Sequence, residues 1–541
     1  MKKIITGNVL DIFNRKIYPA EIHISKGKIQ EILETGEECS GYILPGLVDS
    51  HIHIESSMLT PARFAEAAVK HGTVAVVTDP HEIANVAGLQ GVEFMIENAK
   101  TVPMKFFFGA PSCVPATEFE TSGARIGSEE VRLLLEKDEI LFLSEMMNFP
   151  GVLGEDPEVV NKLKHARELK KPVDGHAPGL TGEDLLKYIR SGISTDHECL
   201  TFQEAAEKIS SGMKVQIREG SAARGFDMFR DLIDMYPESV MLCTDDMHPD
   251  DLLEGHIDRM IRRGLEKGVD LFNLLRAAIV NPVIHYGLPA GLLRKGDPAD
   301  MIEVTDLQKF EITGTWINGE KVYSEGKVLF VPGKTELECK FRNKKITLND
   351  ISVGAESAEI RVIEAYDGKL YTGALTEKVK KENGFAVADT DRDICKMVLV
   401  NRYNDNNPAV AFIKGFGLKR GAIAGSVAHD SHNIIAVGVN DEDIKEAVNR
   451  VIEMGGGLVS LSDERRVEMP LEVGGLMTNS DGINVARKYG EIDGHARQLG
   501  SNLSSPFMTL SFMALLVIPR LKLSDHGLFD GEKFEYVSLF I

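Results

Sequence analysis

The stretch Leu44 to Ser57, LPGLVDSHIHIESS, ends a short apolar run in Asp49 and then sets histidines at 51 and 53. Residues two apart on a strand point to the same face, so His51 and His53 can grip one metal ion from a strand end. A lone His-x-His also closes many surface strands and carries little weight alone. The rest of the chain supplies the weight. Further potential ligands recur at the ends of later apolar runs: Glu145 in LFLSEMMN, His176 in VDGHAPG, His197 in STDHE and Asp245 in MLCTDD. Each has an ordinary reading of its own. Glu145 or Asp245 would serve to start a helix, and His197 between Asp196 and Glu198 suits a solvated turn. Six such residues at strand ends do not fit that reading. Four imidazoles and two carboxylates suffice for two divalent ions: His51, His53 and Asp245 on one, His176 and His197 on the other, with Glu145 as the bridge. Mixed nitrogen and oxygen ligation suits zinc, iron or manganese and does not choose among them. Paired ions about 3.5 to 4 Å apart share a hydroxide that is a nucleophile near neutral pH.

Such ligands must be brought to one rim, and the pattern from Leu44 onward does this. Strand-like runs at Leu47-Val48, 73–77, 105–108, 140–143, 172–173, 193–194, 214–217 and 240–243 alternate with helical stretches such as 61–70, 129–136, 157–169 and 202–209. Asp156-Pro157 and Thr201 stand where helix starts are expected. Eight strands, each followed by a helix, predict a (β/α)₈ barrel, whose chemistry sits at the carboxyl ends of its strands. A doubly wound sheet is the alternative, but it does not bring eight strand ends round one centre.

Residues 2 to about 45 alternate apolar and polar over short spans, with turn signals at Gly7-Asn8 and Lys26-Gly27, and predict a small antiparallel sheet. After the helix at 272–279 the chain becomes turn-rich, new strands begin at Met301 to Val304, and Asn318-Gly319 offers a hairpin turn. The expected organisation is a β-sandwich subdomain from residues 1–45 and 288–335, a catalytic barrel at 46–287 and a separate α+β domain at 336–541. In the last, strands are expected at 409–413 and 434–437 and a helix at 443–452. Gly455 to Gly457 lacks the Lys-Ser/Thr of a phosphate loop and predicts a tight turn. His429-Asp430-Ser431-His432-Asn433 admits a third metal site, a flap or a surface turn, and the surface turn is the default reading.

The bulk properties remove other classes. The formal net charge of −21 argues against a binder of nucleic acid, which needs a basic face. No apolar run reaches the roughly 20 residues that span a bilayer. The longest, Phe507 to Ile518, stops at Pro519 and predicts a buried helix. The start, MKKIITGNVLDIFNRK, lacks the apolar core of a signal peptide. The six cysteines are scattered without a CxxC pair, so a reducing cytoplasm and no disulfides are expected.

PGLVDSHIHIESS is similar to the first metal motif of the amidohydrolase superfamily, and more narrowly of the bacterial and archaeal adenine deaminases. TDPHEIANVAG, LSEMMNFPGV, VDGHAPGL, STDHE, IREGSAAR and CTDD resemble the successive strand-end motifs, and AVGVNDED, GGGLVS, MPLEVGGLMT and SSPFMTLSFMALLVIPRLKLSDHGLFD resemble the family's own last domain. One departure is Arg224, where lysine is expected after REGSAA; it keeps the charge but not the donor geometry. The resemblance implies hydrolysis of adenine to hypoxanthine and ammonia in purine salvage, with two divalent ions, manganese or iron ahead of zinc. Deaminating a purine needs a hydroxide directed at C6, an acid for ring N1 and an acid for the departing ammonia. The expected roles are attack by a metal-bound hydroxide, proton transfer by Asp245, and bridging by Glu145. His81, Glu82 and Asp79 are candidates for proton transfer or for holding the base. Arg218, Glu219 and Ser221 are candidates for reading the purine edge; the alternative for Arg218 and Glu219 is a salt bridge across the barrel mouth. Adenine is the expected partner, with a homo-oligomer and no membrane. The rivals are an amidohydrolase that opens a cyclic amide, disfavoured because Ser144-Glu145-Met146 stands where a carboxylated lysine is typical, and an inactive metal-holding scaffold.

Overall fold

Strands with both faces buried read as continuous apolar runs, and Thr73–Thr78, TVAVVT, has every residue buried. In the computed structural model, which describes residues 2–37, 39–221, 223–339, 341–342 and 344–541, such runs make the centre of the molecule. Ala222 of the IREGSAAR stretch lies outside the described residues. The N-terminal strands are β1 (Lys2–Asp11), β2 (Lys16–Ser25), β3 (Lys28–Glu34) and β4 (Tyr42–Pro45). The barrel strands follow as β5 (Leu47–Ile52), β6 (Thr73–Thr78), β7 (Lys105–Ala110), β8 (Ile140–Met146), β9 (Val173–Gly175), β10 (Thr195–Asp196), β11 (Lys214–Arg218) and β12 (Val240–Cys243).

β5 to β9 form one parallel sheet and β10 to β12 another. Single bridges between Val173 and Ile193 and between Ile52 and Asp245 close the ring. The sixth strand is two residues long and lies two residues later than the expected 193–194. Thr201 caps its helix by accepting from Glu204 N at 3.2 Å, and Asp156 caps the helix Pro157–Glu168.

Beyond the barrel come β13 (Met301–Val304), β14 (Ile312–Ile317), β15 (Glu320–Ser324) and β16 (Lys327–Val328). They join the N-terminal strands in one continuous sheet of order β16-β15-β14-β13-β4-β1-β2-β3. Val9, Ile22 and Ile24 from one flank and Leu293 and Met301 from the other enclose its own small core. Asn318 and Gly319 take φ of 49° and 73°, the positive values that a two-residue hairpin turn requires.

The C-terminal residues build a second eight-stranded sheet that includes Ile394–Val400, Ala422–Gly425 and Ile434–Gly438. Period-two alternation divides it. Val398, Val400, Ala424 and Ala436 face the helix Asp441–Met454, while Met397, Leu399, Ile423 and Ile435 face the core shared with the barrel. Gly455 to Gly457 form the tight turn after that helix; a Cβ on Gly457 would stand 2.3 Å from the Met469 carbonyl. The expected helix over 507–518 is shorter, Pro506–Ser511 with one further turn to Ala514, though it is buried as expected. No described helix is long and apolar enough to cross a membrane, and all six cysteines are unbridged.

Lys522 lies fully buried in this unit. Its Nζ donates to the carbonyls of Leu370 and Phe512 at 2.7 and 2.8 Å, and no carboxylate among the described residues pairs with it. Burial pushes the ammonium down to about 7 from 10.5. Between those values the unfolded chain holds a proton that the folded chain has released, so stability rises with pH across that window and is lowest below it. The expected result is that the wild type gains about 3 kcal/mol relative to Lys522→Met between pH 7 and pH 9.5. Urea unfolding at both pH values checks it; parallel behaviour of the two proteins refutes it.

Candidate active site

The strand ends meet at one rim. β5 delivers His51, with His53 just past its end, β8 delivers Glu145, and the residues after β9, β10 and β12 deliver His176, His197 and Asp245, all six buried. Asp245 takes φ of 57° and bridges back to β5, its amide donating to the His51 carbonyl at 2.9 Å. Lys208, fully buried, fixes the neighbouring loops by donating to Asp196 Oδ2 at 3.0 Å and to the Ala177 carbonyl at 2.7 Å.

Glu145 stands between the two expected halves. Its Oε1 lies 3.2 Å from His53 Nε2 and 3.9 Å from His51 Nε2. Its Oε2 lies 2.7 Å from His176 Nδ1 and 3.3 Å from His197 Nε2. Asp245 Oδ1 lies 3.4 and 3.2 Å from the Nε2 atoms of His51 and His53, which themselves approach to 3.2 Å. His53 Nδ1 lies 3.1 Å from the Asp79 carbonyl, a bond that puts the proton on Nδ1 and leaves the Nε2 lone pair facing inward. Imidazole nitrogens and carboxylate oxygens of several buried groups thus converge on one centre, where only shared protons or a cation can hold them together. A cation answers that arrangement, and the donor set of imidazoles and carboxylates suits a divalent metal ion.

The electrostatics of the bare cluster agree. Burial alone would raise the Asp245 carboxyl, but the Arg218 guanidinium and the imidazoles of His51 and His53 hold it well below the usual carboxylate range. Burial likewise opposes ionised Glu145, and His176, His197 and His53 overcome it. His197, which burial would lower, is raised to about 9 by Glu145. His51 goes the other way, lowered by burial and by the facing His197.

His81 Nδ1 lies 2.9 Å from Asp79 Oδ2 and 3.6 Å from Glu145 Oε1, so the TDPHE segment reaches the same centre. Arg218 is spent differently from the purine-reading expectation. It forms the salt bridge across the barrel mouth, with both Glu198 oxygens and with Asp245 Oδ2 at 2.6 Å. Glu219 and Ser221, the other candidates for the purine edge, have their own protein partners. Glu219 pairs with Arg263 and accepts from Phe226 N at 3.0 Å. Ser221 donates to Asp251 at 2.7 Å and accepts from His248 N at 2.9 Å. Both side chains hold the loop after β11 and do not join the cluster. Arg224 is half exposed and pairs with Asp251 at 3.2 Å. A cleft of about 1770 Å³ opens beside His176, His197, Glu198 and Arg218 and has ample room for a flat two-ring heterocycle.

Residues 42–322 match the amidohydrolase family, and residues 369–535 match the adenine deaminase C-terminal domain. An adenine deaminase of Methanosarcina barkeri is 54% identical across 99% of this chain and 98% of its own length. The chain belongs to the adenine deaminase family. An adenine deaminase of Salinibacter ruber is 49% identical over 99% of each chain. A solved beta-aspartyl dipeptidase from Fervidobacterium islandicum AW-1 is 18% identical, with a TM-score of 0.47 over 61% of this chain and 99% of that one.

Two features of this adenine deaminase family chain escaped the sequence reading. Glu198 lies 3.8 Å from both His176 Nδ1 and His197 Nε2. Its signal was its place beside His197 in STDHE. The second is a correction. The His429 to Asn433 turn is not at the surface: all five residues are buried, and His429 and His432 both reach Glu82 in the first turn of the helix that follows the barrel's second strand. His-x-x-His was legible as a pair; that its partner lay in TDPHE was not.

Proposed function

We propose that this chain hydrolyses adenine to hypoxanthine and ammonia, a salvage reaction on the free base. The observation that supports it most is the seating of Glu145, one oxygen toward the His51–His53 pair and one toward His176 and His197. His51, His53 and Asp245 would hold one divalent ion, His176 and His197 the other, and Glu145 would join them. The set of imidazoles and carboxylates admits manganese, iron or zinc, and the order manganese or iron ahead of zinc rests on the family resemblance alone. When bound, such a pair lowers the pKa of water toward neutrality and so supplies the nucleophile.

The chain's own residues do the rest. Asp245 accepts the proton of the attacking water on Oδ1, which faces the histidines, while Arg218 fixes Oδ2. It then returns that proton to the amino nitrogen, which departs as ammonia. His81, held between Asp79 Oδ2 at 2.9 Å and Glu82 Oε1 at 3.4 Å, delivers a proton to ring N1 and is restored by the proton that the new C6 hydroxyl gives up as it becomes the carbonyl. Glu198 and Arg218 form the polar wall of the cleft against which the base lies.

The test is metal-replete protein incubated with adenine while absorbance and released ammonia are followed together. One ammonia per adenine consumed is expected. Turnover of a cyclic amide without turnover of adenine would overturn this reading, as would no turnover of either at full metal content.

A further inference from the structure

We propose that the turn 428–433 of the C-terminal domain is a clamp on the barrel's Glu82, with His432 and His429 as positioning residues that set Glu82 against His81. The inference rests on reading the site as an adenine-deaminating centre.

Each carboxylate oxygen of Glu82 has its own imidazole. Oε1 lies 2.5 Å from His429 Nδ1, and Oε2 is hydrogen-bonded to His432 Nε2. The tautomer of His432 is fixed independently. Its Nδ1 accepts from the Ala428 amide at 3.2 Å, so its one proton sits on Nε2 and points at Glu82. Burial lowers this ring to about 4, which keeps it neutral at pH 7. His429 is oriented by stacking on Phe512, with ring centroids 4.4 Å apart and planes 17° apart. The turn itself is pinned. Arg402 donates to the His432 carbonyl at 3.3 Å, Tyr403 is bonded to the Ser431 carbonyl, and Asn433 donates to the Thr121 carbonyl of a barrel loop at 2.9 Å.

The arrangement differs in kind from the cluster at the strand ends. There, four imidazoles and two carboxylates converge on one centre that a cation fits. Here, each Glu82 oxygen takes one histidine of the turn, with His81 beside Oε1 as well, so the carboxylate is engaged on both oxygens without a metal ion, although the three side chains are of metal-binding types. What remains is position. Glu82 Oε1 lies 3.4 Å from His81 Nε2, and His81 in turn lies 3.6 Å from Glu145. A carboxylate held on both oxygens by a second domain keeps His81 in one orientation, and a misplaced proton donor is costly in rate. The C-terminal domain thereby acts on the barrel's chemistry without lining the metal site.

The experiment is a double-mutant cycle on the metal-replete full chain, with kcat and KM for adenine, metal stoichiometry and thermal unfolding for each protein. His432→Ala and Glu82→Gln should each lower kcat at least tenfold with KM and metal content little changed. In the Glu82→Gln background, His432→Ala should cost less than twofold more. His432→Gln, whose amide can donate to the same oxygen, should recover most of the loss. Additive losses, or no recovery with Gln at an unchanged unfolding temperature, would overturn the clamp. A third ion per chain that disappears in His432→Ala would also overturn it. An unchanged kcat in Glu82→Gln removes the role of Glu82 and the clamp with it. Normal adenine turnover with a silent His432→Ala removes the clamp alone, whereas absence of adenine turnover in the wild type removes the underlying reading.

Discussion

Asp245→Asn is expected to fold, to keep its place in the barrel and to lose at least about a thousandfold in kcat on adenine, the scale of removing a group that acts in proton transfer. The fold should survive because of where Asp245 sits. Its φ of 57° is a left-handed conformation, which asparagine adopts more readily than most other residues. The backbone bonds that join it to β5, from its amide to the His51 carbonyl and from the His53 amide to its own carbonyl, do not involve the side chain. Arg218 keeps both oxygens of Glu198. What is lost is a carboxylate able to take a proton, since a neutral amide is not a base at neutral pH. Steady-state kinetics with thermal unfolding as control checks this. A variant within tenfold of the wild type at equal metal content would show that Asp245 is not the base, and Glu145 would inherit that role.

That such a prediction can be placed at all reflects what kind of information the chain carries locally. β6 was legible because a strand buried on both faces must be apolar throughout, and its end was legible because TDPHE breaks the pattern abruptly. β10 was harder, since a strand of two residues has no period to read. The ligands inherited the legibility of the strands that carry them. Pairings across the sequence did not. Arg218 chose Glu198, 20 residues away, and Glu82 chose His429, 347 residues away. Nothing in the spacing of either pair distinguishes a partner from a bystander. The partners of Glu219 and Ser221 were hidden for the same reason: strand-end position marks a residue as near the rim, but not which way its side chain is drawn. Arg263 and Asp251, which draw them, lie on helices with no motif of their own.

Removing the metal should abolish adenine turnover and leave a folded protein that takes the ions back with release of protons. The reason lies in how the bare cluster holds itself together. Burial would lower the imidazoles of His53, His176 and His197, yet neighbouring carboxylates raise all three, His197 to about 9. Below that value the metal-free site is held by protons where the ions belong. Each raised imidazole must give up its proton to become a ligand, so protons compete with metal as pH falls. Apparent affinity should therefore weaken as pH falls below about 9, by about tenfold per pH unit for each proton displaced. Metal-free protein titrated with manganese in weakly buffered solution containing a pH indicator should acidify the medium, and its unfolding temperature should rise with free metal as binding to the folded state demands. Uptake without proton release, or an affinity flat from pH 6.5 to 8.5, would mean that these imidazoles are not the ligands.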